Sequence, residues 1–292
     1  MAAPTDSEFA SFAERSVCCS SPSGLHRMAY REWGARDNPR VLFCVHGMSR
    51  NGRDFDELAR ALAGEYRVVC PDLVGRGCSD WLRDAAGYTI PQHVADLLVL
   101  IARLDVERID WLGTSLGGLI GMALASLDGA PIAHLVLNDV GPVIGGQSLK
   151  RIGDYLGQAP LFDTLADAES YIRQVSAPFG ALSDANWRAL TESSLRQRED
   201  GRFEMRYDPA IAQSLQLAAS TDLDLWPIYE RISCPTLLVR GEQSDLLSRE
   251  TAQAMAARGP RPRIVEVPGV GHAPMFMDQA QIAIVSDFLC AV

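Results

Sequence analysis

The chain has 292 residues, 47% of them hydrophobic and 22% charged, and a formal charge of −10 from 27 basic and 37 acidic side chains. This balance excludes a disordered chain, and the length excludes a small disulfide scaffold; it fits one large α/β domain, or one domain with an insertion. Lys150 is the only lysine and the arginines form no basic run, so nothing provides the phosphate-neutralising patch that nucleic acid requires.

In chain order, short β-type runs alternate with amphipathic helical segments, the pattern of a mostly parallel central sheet flanked by helices. Strands are predicted at His26 to Trp33, Val41 to Val45, Arg67 to Cys70, Arg108 to Leu112, His134 to Asn138, Thr236 to Arg240 and Arg263 to Val267. The second, fourth, fifth and sixth are continuous apolar runs, as strands buried on both faces should be. Helical spacing appears at Asp54 to Ala63, Pro91 to Leu104, Leu116 to Leu127, Arg249 to Ala257 and Gln279 to Leu289. The β-type rhythm stops after Gly141-Pro142 and resumes near Leu225. The expected organisation is therefore a core of 1–142 and 226–292 with a helical lid, 143–225, inserted between its halves, since so long a structureless loop would be out of place in a compact domain.

Seven cysteines, an odd number without repeated short spacing, argue against a disulfide framework and against a zinc site. Cys44, Cys70 and Cys290 lie in apolar runs and read as core thiols. Acidic residues interrupt the N-terminal segment and no apolar run is long enough to cross a bilayer, so a cytoplasmic protein without membrane partners is expected.

The sharpest chemical signal is Gly113-Thr114-Ser115-Leu116-Gly117, which joins an apolar strand to a helix rich in Gly, Leu and Ala. Glycines flanking a serine permit a tight strand-to-helix turn that exposes the hydroxyl, and the helix N-terminus beneath it favours developing negative charge. Ser115 is the expected nucleophile. A serine needs a base, normally histidine, and five are available. His26 sits in a strand, His93 in a helical pattern and His134 at the head of a strand, positions that suit structural roles. His46 ends a strand but precedes Gly47. His272, in the loop Pro268-Gly-Val-Gly-His-Ala-Pro274, can reach the C-terminal edge of the sheet, where open α/β sheets hold ligands. His272 is the expected base. For the carboxylate that holds its tautomer, Asp245 in Gly241-Glu-Gln-Ser-Asp245 is the leading candidate, Asp139 at the end of the His134 to Asn138 strand is the rival, and Glu242 reads as a turn residue. Backbone N–H groups of Leu116 and Met48 are the expected oxyanion donors.

These segments resemble the α/β-hydrolase family, of the lid-bearing serine esterase and lactonase kind. The resemblance rests on His46-Gly47, on Asp72-Leu-Val-Gly-Arg-Gly-Cys-Ser79, which is similar to the family's D-x-x-G-x-G-x-S loop, on the turn at Ser115, on the acid loop and on Gly271-His272. It implies an acyl-enzyme mechanism on a small or medium carboxylic ester or lactone, with no cofactor and no metal. A serine at the nucleophile position counts against haloalkane dehalogenase and epoxide hydrolase chemistry. Met48-Ser-Arg-Asn-Gly52 stands where family members that hydrolyse carbon–carbon bonds carry Gly-Pro-Gly, so that activity, or a cofactor-free peroxidase using the same three residues, is the alternative. A non-catalytic ligand-binding or sensing module is the alternative of another class. Expected substrate contacts are Arg50, Trp187 and Trp226, with Tyr155, Phe162 and Phe179 as further aromatic candidates in the lid; oligomeric state has no signature in the sequence.

Overall fold

The computed structural model describes residues 11–213 and 223–290, leaving aside the side chains of residues 147–149, 151 and 155. Eight strands form the main sheet in the order β1-β2-β4-β3-β5-β6-β12-β13. They are β1 (Phe12–Ser21), β2 (Gly24–Trp33), β3 (Val41–Val45), β4 (Arg67–Pro71), β5 (Ile109–Thr114), β6 (Ile132–Asn138), β12 (Thr236–Gly241) and β13 (Arg263–Val267). From β4 to β13 the pairings are all parallel, while the β1–β2 hairpin joins antiparallel at one edge.

The alternation of side chains along the central strands explains why apolar runs were needed there. Val41, Phe43 and Val45 of β3 enter the core on one face, with Leu97, Leu100 and Ile101 of α2 (Ile90–Leu104) and Leu119 and Ile120 of α3 (Leu116–Ala125). Leu42 and Cys44 enter the opposite core, with Leu58 and Leu62 of α1 (Asp56–Leu62) and the apolar stripe Ile282, Val285 and Leu289 of the last helix (Gln279–Cys290). Burying both faces of a parallel strand leaves no polar position in it.

The segment between β6 and β12 is an insertion, and it is not purely helical. It contains α4 (Gly146–Leu156), α5 (Leu165–Val175) and α6 (Asp184–Ser194), but also the short strands β7 (Val143–Ile144), β8 (Leu161–Phe162), β9 (Leu195–Gln197), β10 (Phe203–Met205) and β11 (Leu223–Asp224). Strands of two or three residues show too little alternation to be read from sequence. The insertion is tied to the core beside the strand C-termini: the Gly77 N–H donates to Arg206 O at 2.9 Å, Asp208 N–H to Gly75 O at 2.8 Å, Asn51 Nδ2 to Ser193 O at 2.8 Å and Gly271 N–H to Pro178 O at 2.6 Å. Among the described residues no helix is long and apolar enough to cross a membrane. Cys44 and Cys70 are buried, whereas Cys290 is exposed on the last helix with its Sγ 2.9 Å from Glu65 Oε2, so the expectation of a core thiol fails there.

Candidate active site

Ser115 sits between β5 and α3 with φ 52° and ψ −113°, a conformation that a side-chain-bearing residue adopts only when its surroundings enforce it. The flanking glycines are what make room for it. A Cβ at Gly113 would lie 2.2 Å from Gly117 O, and one at Gly117 would lie 2.0 Å from Val45 O, so the turn closes this tightly only because both positions are bare.

The Ser115 hydroxyl is 3.0 Å from His272 Nε2, and His272 Nδ1 is 2.7 Å from Asp139 Oδ2. An ionised carboxylate only accepts, so Nδ1 carries the proton and Nε2 is left to accept from the serine. Asp139 is completely buried. Besides the imidazole it accepts from the Gly241 N–H at 2.9 Å and from the Ser244 hydroxyl at 2.6 Å. These charge-assisted bonds compensate the carboxylate for lost water.

The expected partner of His272 is therefore corrected from Asp245 to Asp139. The reason lies in strand order. β6 is the immediate neighbour of β5, and Asp139 follows it directly with φ 54°, while Asp245 comes four residues beyond the end of β12, one strand further from the serine. The loop after β12 does reach the site, but through Ser244; Asp245 lines the adjoining cavity. Glu242 accepts from the Gly269 N–H at 2.9 Å, as a turn residue would.

Leu116 opens α3, so its N–H has no carbonyl one turn back to bond. On the other side of the serine, a Cβ at Gly47 would meet Ser115 Cβ at 3.6 Å, and Gly47 and Met48 line the same cavity as Ser115. A cavity of about 470 Å³ opens in front of Ser115 and His272. Its apolar wall includes Met48, Ile172, Val175, Phe179, Met205 and Met275, most of which carry no sequence signal beyond being apolar in an amphipathic segment.

Of the expected substrate contacts, Arg50 and Phe179 line this cavity and Trp187 and Trp226 do not. Arg50 is buried, with Nε and Nη2 on the Asp54 carboxylate (2.9 and 2.6 Å) and Nη1 on the Ser194 hydroxyl (2.7 Å), so it buttresses the wall and is not a solvated cation. Trp187 is buried under Arg173, and Trp226 packs beneath the Arg258 guanidinium at 3.7 Å and edge-on to Tyr229. Both are amphipathic aromatic rings used to pack the insertion and its return to the core. Phe162 packs at a tilt against Tyr171, with ring centroids 5.2 Å apart, and the Tyr155 side chain lies outside the described residues.

The other histidines have structural partners or surroundings. His26 Nε2 meets Asp96 Oδ2 at 3.0 Å and His134 Nδ1 meets Asp110 Oδ1 at 2.8 Å. Cys19, His26 and Asp96 bring ligand-capable atoms within 4.8 Å of one another. The three groups bond to one another and to a neighbour: Cys19 Sγ lies 3.8 Å from Asp96 O, and Asp96 accepts from Gln92 Nε2 at 2.7 Å as well as meeting His26. Burial drives His46 down to about 3, assisted by the charges of Arg76 and Arg50, and drives His93 well below its ordinary value.

These two rings give a pH prediction. Both are neutral when folded and free to protonate when unfolded, so below the ordinary value of 6.5 the unfolded chain binds more protons. Their stabilisation is complete above that value and is lost as pH falls below it, in the case of His46 down to about 3. Urea unfolding between pH 6 and pH 4.5 should show stability falling by up to about 1.4 kcal/mol per pH unit for each ring. His93→Leu should remove one ring's share of that slope; an unchanged slope would contradict the assignment.

The model of the alpha/beta hydrolase family matches residues 41–284. The chain is 52% identical, over 93% of its length and 96% of the relative's, to a 3-hydroxybutyrate-oligomer hydrolase of Cupriavidus necator. It is 27% identical, over 83% of its length and 84% of the relative's, to a 2-(acetamidomethylene)succinate hydrolase of Mesorhizobium japonicum. Among solved structures, an alpha/beta hydrolase from Novosphingobium aromaticivorans superposes with a TM-score of 0.85 at 37% identity, covering 96% of this chain and 99% of that one.

Proposed function

Because the chain belongs to the alpha/beta hydrolase family, we propose that it is a serine hydrolase acting through an acyl-enzyme on ester bonds of short 3-hydroxybutyrate oligomers or similar hydroxyacid esters. The observation that carries the reading is the unbroken path from the Ser115 hydroxyl through His272 to the buried Asp139 carboxylate at the mouth of an apolar cavity. The substrate class follows the 3-hydroxybutyrate-oligomer hydrolase, with which the chain shares half its residues over nearly its whole length.

Ser115 Oγ attacks the ester carbonyl as His272 Nε2 takes its proton, and Asp139 stabilises the resulting imidazolium. The N–H groups of Met48 and Leu116 receive the oxyanion, each donor contributing on the order of 3 kcal/mol. His272 then returns the proton to the departing hydroxyl of the next unit. Water, activated by the same imidazole, releases the acid and restores Ser115. The methyl-bearing chain of a hydroxybutyrate oligomer suits an apolar wall, and a cavity of about 470 Å³ falls within the usual range for ligand sites. In this reading segment 143–225 serves as the lid, closing the cavity over the ester. None of these steps requires a metal or a cofactor.

The test is turnover of 3-hydroxybutyrate dimer and trimer by the purified chain, followed as acid release, beside a 1,3-diketone panel. Oligomer cleavage at roughly 1 to 10³ per second is expected. Cleavage of the diketones with the oligomers untouched would favour carbon–carbon bond hydrolysis. Thermal stabilisation by the oligomers without turnover would favour a binding module.

A further inference from the structure

We infer that His46 and Arg76 are positioning residues for the reaction proposed above: together they hold the two peptide groups flanking Met48, so that the Met48 N–H faces the reacting carbonyl before substrate arrives. The inference rests on the acyl-enzyme reading and adds to it the residues that would preorganise one oxyanion donor.

His46 is fully buried at the end of β3 and uses both ring nitrogens. Nδ1–H donates to its neighbour's carbonyl, Gly47 O, at 2.7 Å, and Nε2 accepts from the Leu73 N–H at 2.9 Å. Only the neutral ring protonated on Nδ1 can do both, and the strongly lowered pKa keeps it in that form. Gly47 O and the Met48 N–H belong to one peptide group. In a trans peptide they point to opposite sides, so a ring that holds the carbonyl sends the N–H away from itself. Gly47 O also accepts from the Arg50 N–H at 3.2 Å, a second restraint on the same plane.

Arg76 restrains the next peptide. Its Nε donates to Met48 O at 2.9 Å, its Nη2 lies 3.1 Å from Met48 Sδ and its Nη1 donates to Val74 O at 2.8 Å. The side chain is 1% exposed, and among the described residues no carboxylate lies within ion-pair distance of it. The nearby Asp208 accepts instead from the Tyr88 hydroxyl at 2.6 Å. Burial brings Arg76 down to about 10, which leaves it charged at neutral pH. A buried cation without a paired anion costs stability. Here it stands behind the turn at which the mechanism develops negative charge, and its attraction for the oxyanion is present only in the transition state.

The experiment compares wild type with Arg76→Gln, Arg76→Lys and His46→Asn. Competent sites are titrated with an activated aryl phosphonate, kcat and KM are measured with an activated aryl ester, and the affinity of a trifluoromethyl ketone is measured as a transition-state analogue. For Arg76→Gln and His46→Asn, kcat per titrated site should fall roughly 10- to 100-fold, with KM within about threefold. Ketone affinity should fall by the same factor as kcat, and Arg76→Lys should recover most of both. A purely structural role would lower the titrated fraction and the melting temperature while leaving kcat per site and ketone affinity at wild-type values, and that result overturns the inference. If Arg76→Gln does not fold, Arg76→Met takes its place, and His46→Asn carries the same comparison independently. Failure of the wild type to hydrolyse esters or react with the phosphonate would instead overturn the acyl-enzyme reading itself.

Discussion

Asp139→Asn is expected to lower kcat on the order of 10⁴-fold, whereas Asp245→Asn should leave kcat within roughly tenfold and act mainly on KM. The carboxylate of Asp139 accepts from His272 Nδ1–H, Ser244 and the Gly241 N–H at once. An asparagine can satisfy either Ser244 and His272 or its own amide protons, but not both. With its NH2 toward the imidazole, the ring proton moves to Nε2, where it points at Ser115 and can no longer accept from it. With its oxygen toward the imidazole, the orientation survives but the negative charge that stabilises the imidazolium is gone. Asp245 lines the cavity without being the acceptor for His272, so its substitution changes what the substrate meets and spares the proton path. Steady-state kinetics on the two single variants decides the matter. Loss of orders of magnitude in Asp245→Asn, with Asp139→Asn near wild type, would contradict the assignment.

Ser115→Ala should have the largest effect, a loss of kcat on the order of 10⁶-fold. In the proposed mechanism the serine, the imidazole and the carboxylate act as one unit, because a base without its nucleophile has nothing to deprotonate. The double variant Ser115→Ala, Asp139→Asn should therefore be no slower than Ser115→Ala alone, rather than slower by the product of the two losses. The alanine also removes a small polar group from a strained turn, so it should fold at least as well as wild type, and urea unfolding serves as the control. Multiplying losses in the double variant would mean that the two residues act in separate steps.

Most of the main sheet was legible because burial on both faces leaves continuous apolar runs, as in Val41 to Val45 and Thr236 to Arg240. Strand β1 was not. Its residues, Phe12–Ser21, are largely polar, with Val17 and Cys19 alone buried, because an antiparallel edge strand keeps one face and one edge in water. The serine and the histidine could be located from their glycine-rich contexts, since those contexts are themselves consequences of close backbone approach. The acid could not be chosen. Asp139 and Asp245 both follow apolar strands and both fall between serine and histidine in the chain, and only the lateral order β5-β6-β12 separates them. Two aromatic residues, one within segment 143–225 and one just after it, misled for a related reason. Trp187 and Trp226 have the composition of pocket walls, but Trp187 is buried beneath Arg173 and Trp226 lies beneath Arg258, so both rings are used for packing. Arg76 was legible as part of a loop pattern; its grip on Met48 depends on a contact across 28 positions.

In the proposed mechanism an acyl group from substrate rests on Ser115 between two half-reactions. Intact mass spectrometry after rapid quenching of Asp139→Asn with 3-hydroxybutyrate trimer, followed by peptide mapping, detects it. A covalent adduct of a hydroxybutyryl unit or short oligomer is expected on the peptide that carries Ser115, with no adduct in Ser115→Ala. Oligomer hydrolysis by the wild type with no adduct at any quench time, or an adduct on another residue that persists in Ser115→Ala, would contradict that mechanism.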